Sequence, residues 1–146
     1  MVAAPKIDPT NLRQVLARLL PGDGTWPNAG ELELDGAVLD HLATMPELAE
    51  QVARALSALA DDAVTQGGNA LDEALKSVEA KHPDDFAGLL LAAYAAYYTD
   101  SRVRNVIEKV TGYEARPPQP LGYELPPFDE ALLANMKNRK PFWRQV

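Results

Sequence analysis

Cysteine is missing from this chain, which excludes disulfides, thiolate metal ligands and a cysteine nucleophile. Histidine is scarce: His41 and His82 are the only two, and neither has a second histidine one helical turn away to share a metal with. Long apolar runs are also lacking. The longest, Leu89 to Tyr98, falls well short of the roughly 18 residues that cross a bilayer. A basic surplus is absent too: the formal charge is −7, the wrong sign for releasing counterions from a phosphate backbone, so nucleic acid is not an expected partner. The first residues, Met1-Val-Ala-Ala-Pro-Lys6, carry neither a charged n-region nor an apolar h-region. As written this leads us to expect the cytoplasm, or the periplasm if the chain travels with a partner or has lost a leader.

What is present points to a folded, helical protein. Of 146 residues, 47% are hydrophobic and 24% charged, a globular balance, and a chain of this length can bury roughly 68–70% of its unfolded surface. Apolar residues recur at helical spacing through Leu12, Val15, Leu16 and Leu19, with Thr10 as the expected cap and Pro21 as the stop. The Pro21–Gly30 stretch is too rich in turn formers to be regular and reads as a structured loop pinned by Trp26. A helix follows from about Asp35, and Pro46 opens another that continues by its Leu and Val spacing to Gln66-Gly-Gly68. Asn69 is the expected cap of the next helix, with Leu71, Leu75 and Val78 inward.

Pro83 begins the most apolar segment. Phe86 to Tyr98 carries no charge on any side, which predicts a central helix surrounded by others. Asp100 is then expected to cap a helix through Val103, Val106, Ile107 and Val110, closed by Gly112. Beyond it, Pro117, Pro118, Pro120, Pro126 and Pro127 interleave with Tyr113, Leu121, Tyr123 and Phe128, a pattern that forbids helix or interior strand. A short helix from Asp129 to about Lys137 precedes the close. Past Glu130 no carboxylate side chain remains, while Lys137, Arg139, Lys140 and Arg144 follow. The expected fold is therefore all-α: a bundle of about six helices over 1–112 and a Pro/aromatic-rich extended arm with a short helix over 113–146, within one domain.

Catalytic sets are hard to assemble from these residues. Gly22-Asp-Gly24 and Gly67-Gly68 follow no strand and precede no Lys-Ser/Thr, so they read as turns rather than a phosphate cradle. Asp61-Asp62 and Asp84-Asp85 sit at helix ends, where capping or the helix dipole accounts for one of each pair and solvation for the other. Tyr94, Tyr97 and Tyr98 share one face of the apolar helix, either as core with satisfied hydroxyls or as the lining of a small pocket. Aromatics and arginines near the arm are the residue types that dominate interface energetics. The candidate partner-binding set is Trp26, Tyr113, Arg116, Tyr123, Phe128, Phe142, Trp143 and Arg144. The same arm could instead cap its own bundle.

Three stretches resemble the gluconate 2-dehydrogenase subunit 3 family, the small accessory subunits of flavin-dependent dehydrogenases of the glucose-methanol-choline type. Leu12-Arg-Gln-Val-Leu-Ala-Arg-Leu-Leu-Pro21 with Pro27-Asn-Ala-Gly30 is similar to the family's opening helix and Pro-x-Ala-Gly loop. Phe86 to Tyr98 running into Thr99-Asp-Ser-Arg-Val103 resembles its late apolar helix with a tyrosine-rich end. Gly112-Tyr113 and the proline run to Gly122-Tyr123 resemble its tail. The resemblance implies a subunit that is not an enzyme by itself and holds no cofactor. It would bind a larger catalytic flavoprotein carrying FAD, as accessory subunit or dedicated chaperone. The alternatives are a small ligand-binding protein or stand-alone enzyme with a tyrosine-lined pocket, and a self-associating regulatory protein.

Overall fold

The computed structural model describes residues 7–114 and 127–137, and among them all regular structure is helical. Contacts divide the chain into two units, Met1–Ala115 and Arg116–Val146. Among its described residues the first unit holds seven helices: α1 (Pro9–Leu19), α2 (Asp35–Ala43), α3 (Pro46–Ser57), α4 (Asp61–Gln66), α5 (Gly68–Lys81), α6 (Pro83–Thr99) and α7 (Ser101–Thr111). Among the described residues no helix is long and apolar enough to cross a membrane.

The ends of α1 follow local chemistry with one shift from expectation. Asp8, not Thr10, is the N-cap: its carboxylate accepts from the backbone amides of Thr10 at 2.8 Å and Asn11 at 3.1 Å. Pro9 then takes the first helical position, where its missing donor is no loss. A second difference lies in the expected long helix from Pro46. It stops at Ser57, Ala60 is extended, and α4 begins anew at Asp61. The interruption turns the chain so that Leu59 and Val64 both reach the core, and α4 packs on α1 and α5. A single straight helix would have carried the later turns past the bundle. Gly67, at φ 64°, makes the junction and stands at the start of α5, a role expected of Asn69.

Helix α6 is the hub. It packs on α2, α3, α5 and α7, and it lies so close to α3 that a Cβ on Gly88 would sit 2.8 Å from Gln51 Cβ. Phe86, Leu89, Ala92, Ala93, Ala96 and Tyr97 are buried along it. Contrary to the expected all-round burial, Ala87, Leu91, Tyr94 and Tyr98 are exposed. They stand one face apart from the core at i, i+4, i+7 and i+11. Helix α7 starts on Asp100, whose carboxylate accepts from Arg102 N at 2.8 Å, and ends on Gly112 in the left-handed region, both as expected.

Ion pairs tie distant turns together. Arg13 donates to the buried Asp35 at 2.7 Å and to Glu33 at 3.0 Å. Arg18 pairs with Asp72, and Arg54 with Asp85 at 2.8 Å. In the second unit, the Asp129 carboxylate accepts from Ala131 N at 2.9 Å and starts a 3-10 turn, Glu130–Leu133, that runs into one helical turn, α8 (Ala134–Lys137). Phe128, Leu132 and Leu133 are exposed there.

Candidate functional site

The Pro21–Gly30 loop is held by more hydrogen bonds than a passive connection requires. One oxygen of Asp23 accepts from the amides of Trp26 at 2.9 Å and Thr25 at 3.0 Å, while Asp23 N donates to Trp26 O at 3.2 Å. Gly22 has φ 73°, and a Cβ there would lie 2.5 Å from Trp26 O, so only glycine fits. Asn28 ties the loop's two ends: its Nδ2 donates to Pro21 O at 2.8 Å and its Oδ1 accepts from Gly30 N at 2.7 Å. The Tyr97 hydroxyl reaches across from α6 and donates to Pro27 O at 2.8 Å. Trp26 is thereby presented, half-buried, on a rigid mount against the bundle.

Two grooves flank it. One, of about 300 Å³, is lined by Leu19, Leu20, Asp23, Trp26, Tyr97 and Tyr98. The other, of about 470 Å³, runs from Trp26 over Glu31 to Arg102 and Val106 of α7. Tyr98 meets Tyr97 edge-on, with ring centroids 5.3 Å apart, and lies 6.0 Å from Tyr94. One turn further back, Leu91 lines a third groove with Met45, Pro46 and Leu48. Adjacent residues thus form one band from Met45 through Leu91, Tyr94, Tyr98 and Trp26 to Val106, with Val110 a turn beyond on α7. Along it Leu91 is 56%, Tyr94 42%, Tyr98 50% and Val110 59% exposed, and Tyr113 after α7 is 74% exposed. Isolated exposed apolar residues need no explanation, but a contiguous row marks an interaction surface.

Electrostatics at the band are sparse. The amides of Trp26 and Thr25 hold the Asp23 carboxyl below its usual range, so it is ionised at neutral pH. Burial pushes the Tyr97 phenol up, with the nearby Tyr98 and Asp23 adding to the effect, so it stays a neutral donor. Arg102 forks onto Asp100 and also donates to Leu32 O at 2.9 Å, which fixes it beside the loop.

The residues expected from sequence distribute unevenly over this surface. Trp26 and two of the three tyrosines come together in one groove. The three tyrosines do not all share it: Tyr97 is buried and bonded, Tyr98 lines the same groove from an exposed position, and Tyr94 is exposed and outside that lining. Tyr113 and Phe128 are exposed in their separate units. Arg116, Tyr123, Phe142, Trp143 and Arg144 lie outside the described residues. Sequence reasoning did not place Leu91, Met45, Val106 or Val110 at a site, having read the α6 residue among them as part of a helix surrounded by others. The signal available was the helical spacing of Ala87, Leu91, Tyr94 and Tyr98, which on an all-apolar helix is indistinguishable from a buried face.

Metal-binding chemistry has little to build on. The sole Glu-x-x-His spacing, Glu79 to His82, ends on the exposed C-cap of α5, and among the described residues no three His, Asp or Glu side chains gather to hold an ion. Fold and surface together define a class, a small all-α bundle with an exposed aromatic-apolar band on its hub helix. A scan of family models, a search of curated proteins and a search of solved structures each returned no match to this chain.

Proposed function

We propose that this chain is a non-catalytic helical subunit that docks a larger protein along the band from Met45 to Val110. The single observation that carries the reading is the continuity of that band: exposed Leu91, Tyr94, Tyr98 and Val110 and half-buried Trp26 and Val106 follow one another across α6, the Pro21–Gly30 loop and α7. Tyr and Trp lose little rotamer freedom while covering large area, which is why they anchor interfaces. The resemblance to the small subunits of flavin-dependent sugar and alcohol dehydrogenases names the partner class: a catalytic flavoprotein, with FAD held there and not by this chain. In this reading the subunit supports folding or cofactor loading of its partner.

The test is purification of the tagged chain from its native host, with mass and visible absorbance of the eluate, for the natural sequence and for Leu91→Asp and Tyr94→Asp. Both positions are exposed, so the variants should keep their helical circular dichroism. The expected result is a larger flavin-absorbing protein in stoichiometric amount with the natural chain and its loss with either variant. A solitary colourless chain, or full retention of the flavoprotein by both variants, rejects the proposal.

A further inference from the structure

We propose that the groove between Trp26 and Tyr98 receives the guanidinium of an arginine carried on an extended segment of the partner protein. This rests on reading the band as a docking surface, and it states what the band's aromatic end recognises.

Three rings and one carboxylate converge there. Trp26, Tyr97 and Tyr98 supply aromatic surface, Asp23 supplies the charge, and the Leu19–Gly22 stretch completes the lining. Two backbone amides occupy one Asp23 oxygen, and among the described residues no lysine or arginine pairs with this carboxylate. An apolar side chain filling the groove would strip water from that anion without compensation. A cation compensates it. Aromatic faces attract cations through the ring quadrupole, and a planar guanidinium can stack on an indole while its N–H fork meets a carboxylate, which a compact ammonium cannot do together.

The neighbouring arginine does not already fill this role. Arg102 lines the other flank of Trp26, and its guanidinium is committed to Asp100 and to the Leu32 carbonyl. Tyr97 is likewise committed through its hydroxyl to Pro27, so it presents ring rather than donor. The Trp26 indole N–H and the Tyr98 hydroxyl make no hydrogen bond among the described residues, so both are available to backbone carbonyls of a segment lying along the band. An extended backbone, whose carbonyls are not used internally, offers such acceptors.

The experiment is an amide and indole NMR titration of the full-length 15N-labelled chain with the blocked peptide acetyl-Pro-Pro-Arg-Pro-Pro-amide. Its citrulline counterpart keeps the shape and loses the charge. Trp26→Phe assigns the indole signal. Saturable shifts of the Trp26 indole and of amides in residues 19–28 are expected with the arginine peptide, with the citrulline peptide at least about fivefold weaker. Asp23→Asn retains an oxygen for the Thr25 and Trp26 amides, and it should lower arginine-peptide affinity toward the citrulline level, with a smaller loss for the citrulline peptide. Equal binding of the two peptides, shifts confined to other residues, or no saturation into the millimolar range overturns the proposal. If the flavoprotein still depends on Leu91 and Tyr94 in that event, the docking surface stands and only its cation preference falls.

Discussion

Two single side chains hold the site's geometry and the bundle's pH response. Tyr97 joins the hub helix to the Trp26 loop through one hydroxyl, 2.8 Å from Pro27 O. Tyr97→Phe removes that bond and leaves a carbonyl without its donor, so stability should fall by about 1 kcal/mol. Urea unfolding checks this, and the Trp26 indole signal should broaden or move even where the helices are unchanged. Asp35 is buried and bonded twice to Arg13, at 2.7 and 3.1 Å. The Arg13 hydrogen bond, foremost, holds its carboxyl below the usual range. A carboxylate with a lowered folded pKa contributes stability above its unfolded value of about 3.9, and that contribution is lost as pH falls through the folded value. Asp23, Asp72 and Asp100 are shifted in the same direction. The urea midpoint should thus hold level from neutral pH to about 5 and drop below about 4. Asp35→Asn should lower the midpoint at neutral pH and make the acid-side drop shallower. A variant whose pH profile runs parallel to the natural chain's would refute the Asp35 assignment. Neither role could be read from sequence, because the partners stand 22 and 70 positions away.

At the scale of elements, the contact between α3 and α6 decides most. They approach closely at Gly88, where an added Cβ would lie 2.8 Å from both the Cβ and the Oε1 of Gln51. An alanine in mid-helix ordinarily stabilises by about 1 kcal/mol over glycine. Here the added methyl meets a Cβ that cannot swing away, and overpacking of this kind typically costs about 1–3 kcal/mol. Gly88→Ala is therefore expected to destabilise on balance, by up to about 2 kcal/mol, against the propensity scale. A rise in thermal midpoint would show that the helices can part freely. The helix ends marked by Pro46, Pro83, Asp100 and Gly112 were legible from sequence, since they depend on chemistry within a few residues, whereas the start of α1 falls at Asp8 and not at the expected Thr10. The break at Ser57–Ala60 was not. No proline or glycine stands there, and the turn exists because it lets Leu59 and Val64 both be buried.

For the molecule as a whole, the buried core runs from Leu12 to Val103 among the described residues and draws on α1 to α7 and on the connections that carry Ala29, Leu32, Leu34 and Leu59. A chain ending at Glu114 should accordingly keep its helical circular dichroism and a single cooperative thermal transition, with a midpoint within a few degrees of the full chain's. Global unfolding of that truncation would show that residues beyond 114 complete the core. Composition and periodicity by themselves determined the all-α class, the absence of disulfide and thiolate chemistry, the position of the hub helix and the irregular Trp26 loop. These follow from residue type and local spacing. Which side of the hub faces water was decided only in three dimensions. A helix apolar all round has no preferred inward face until its neighbours arrive, and α2, α3, α5 and α7 leave the Leu91–Tyr94–Tyr98 side uncovered. The meeting of that side with Trp26, some 70 residues earlier in the chain, was likewise a product of packing, because periodicity carries no information about which distant turns touch.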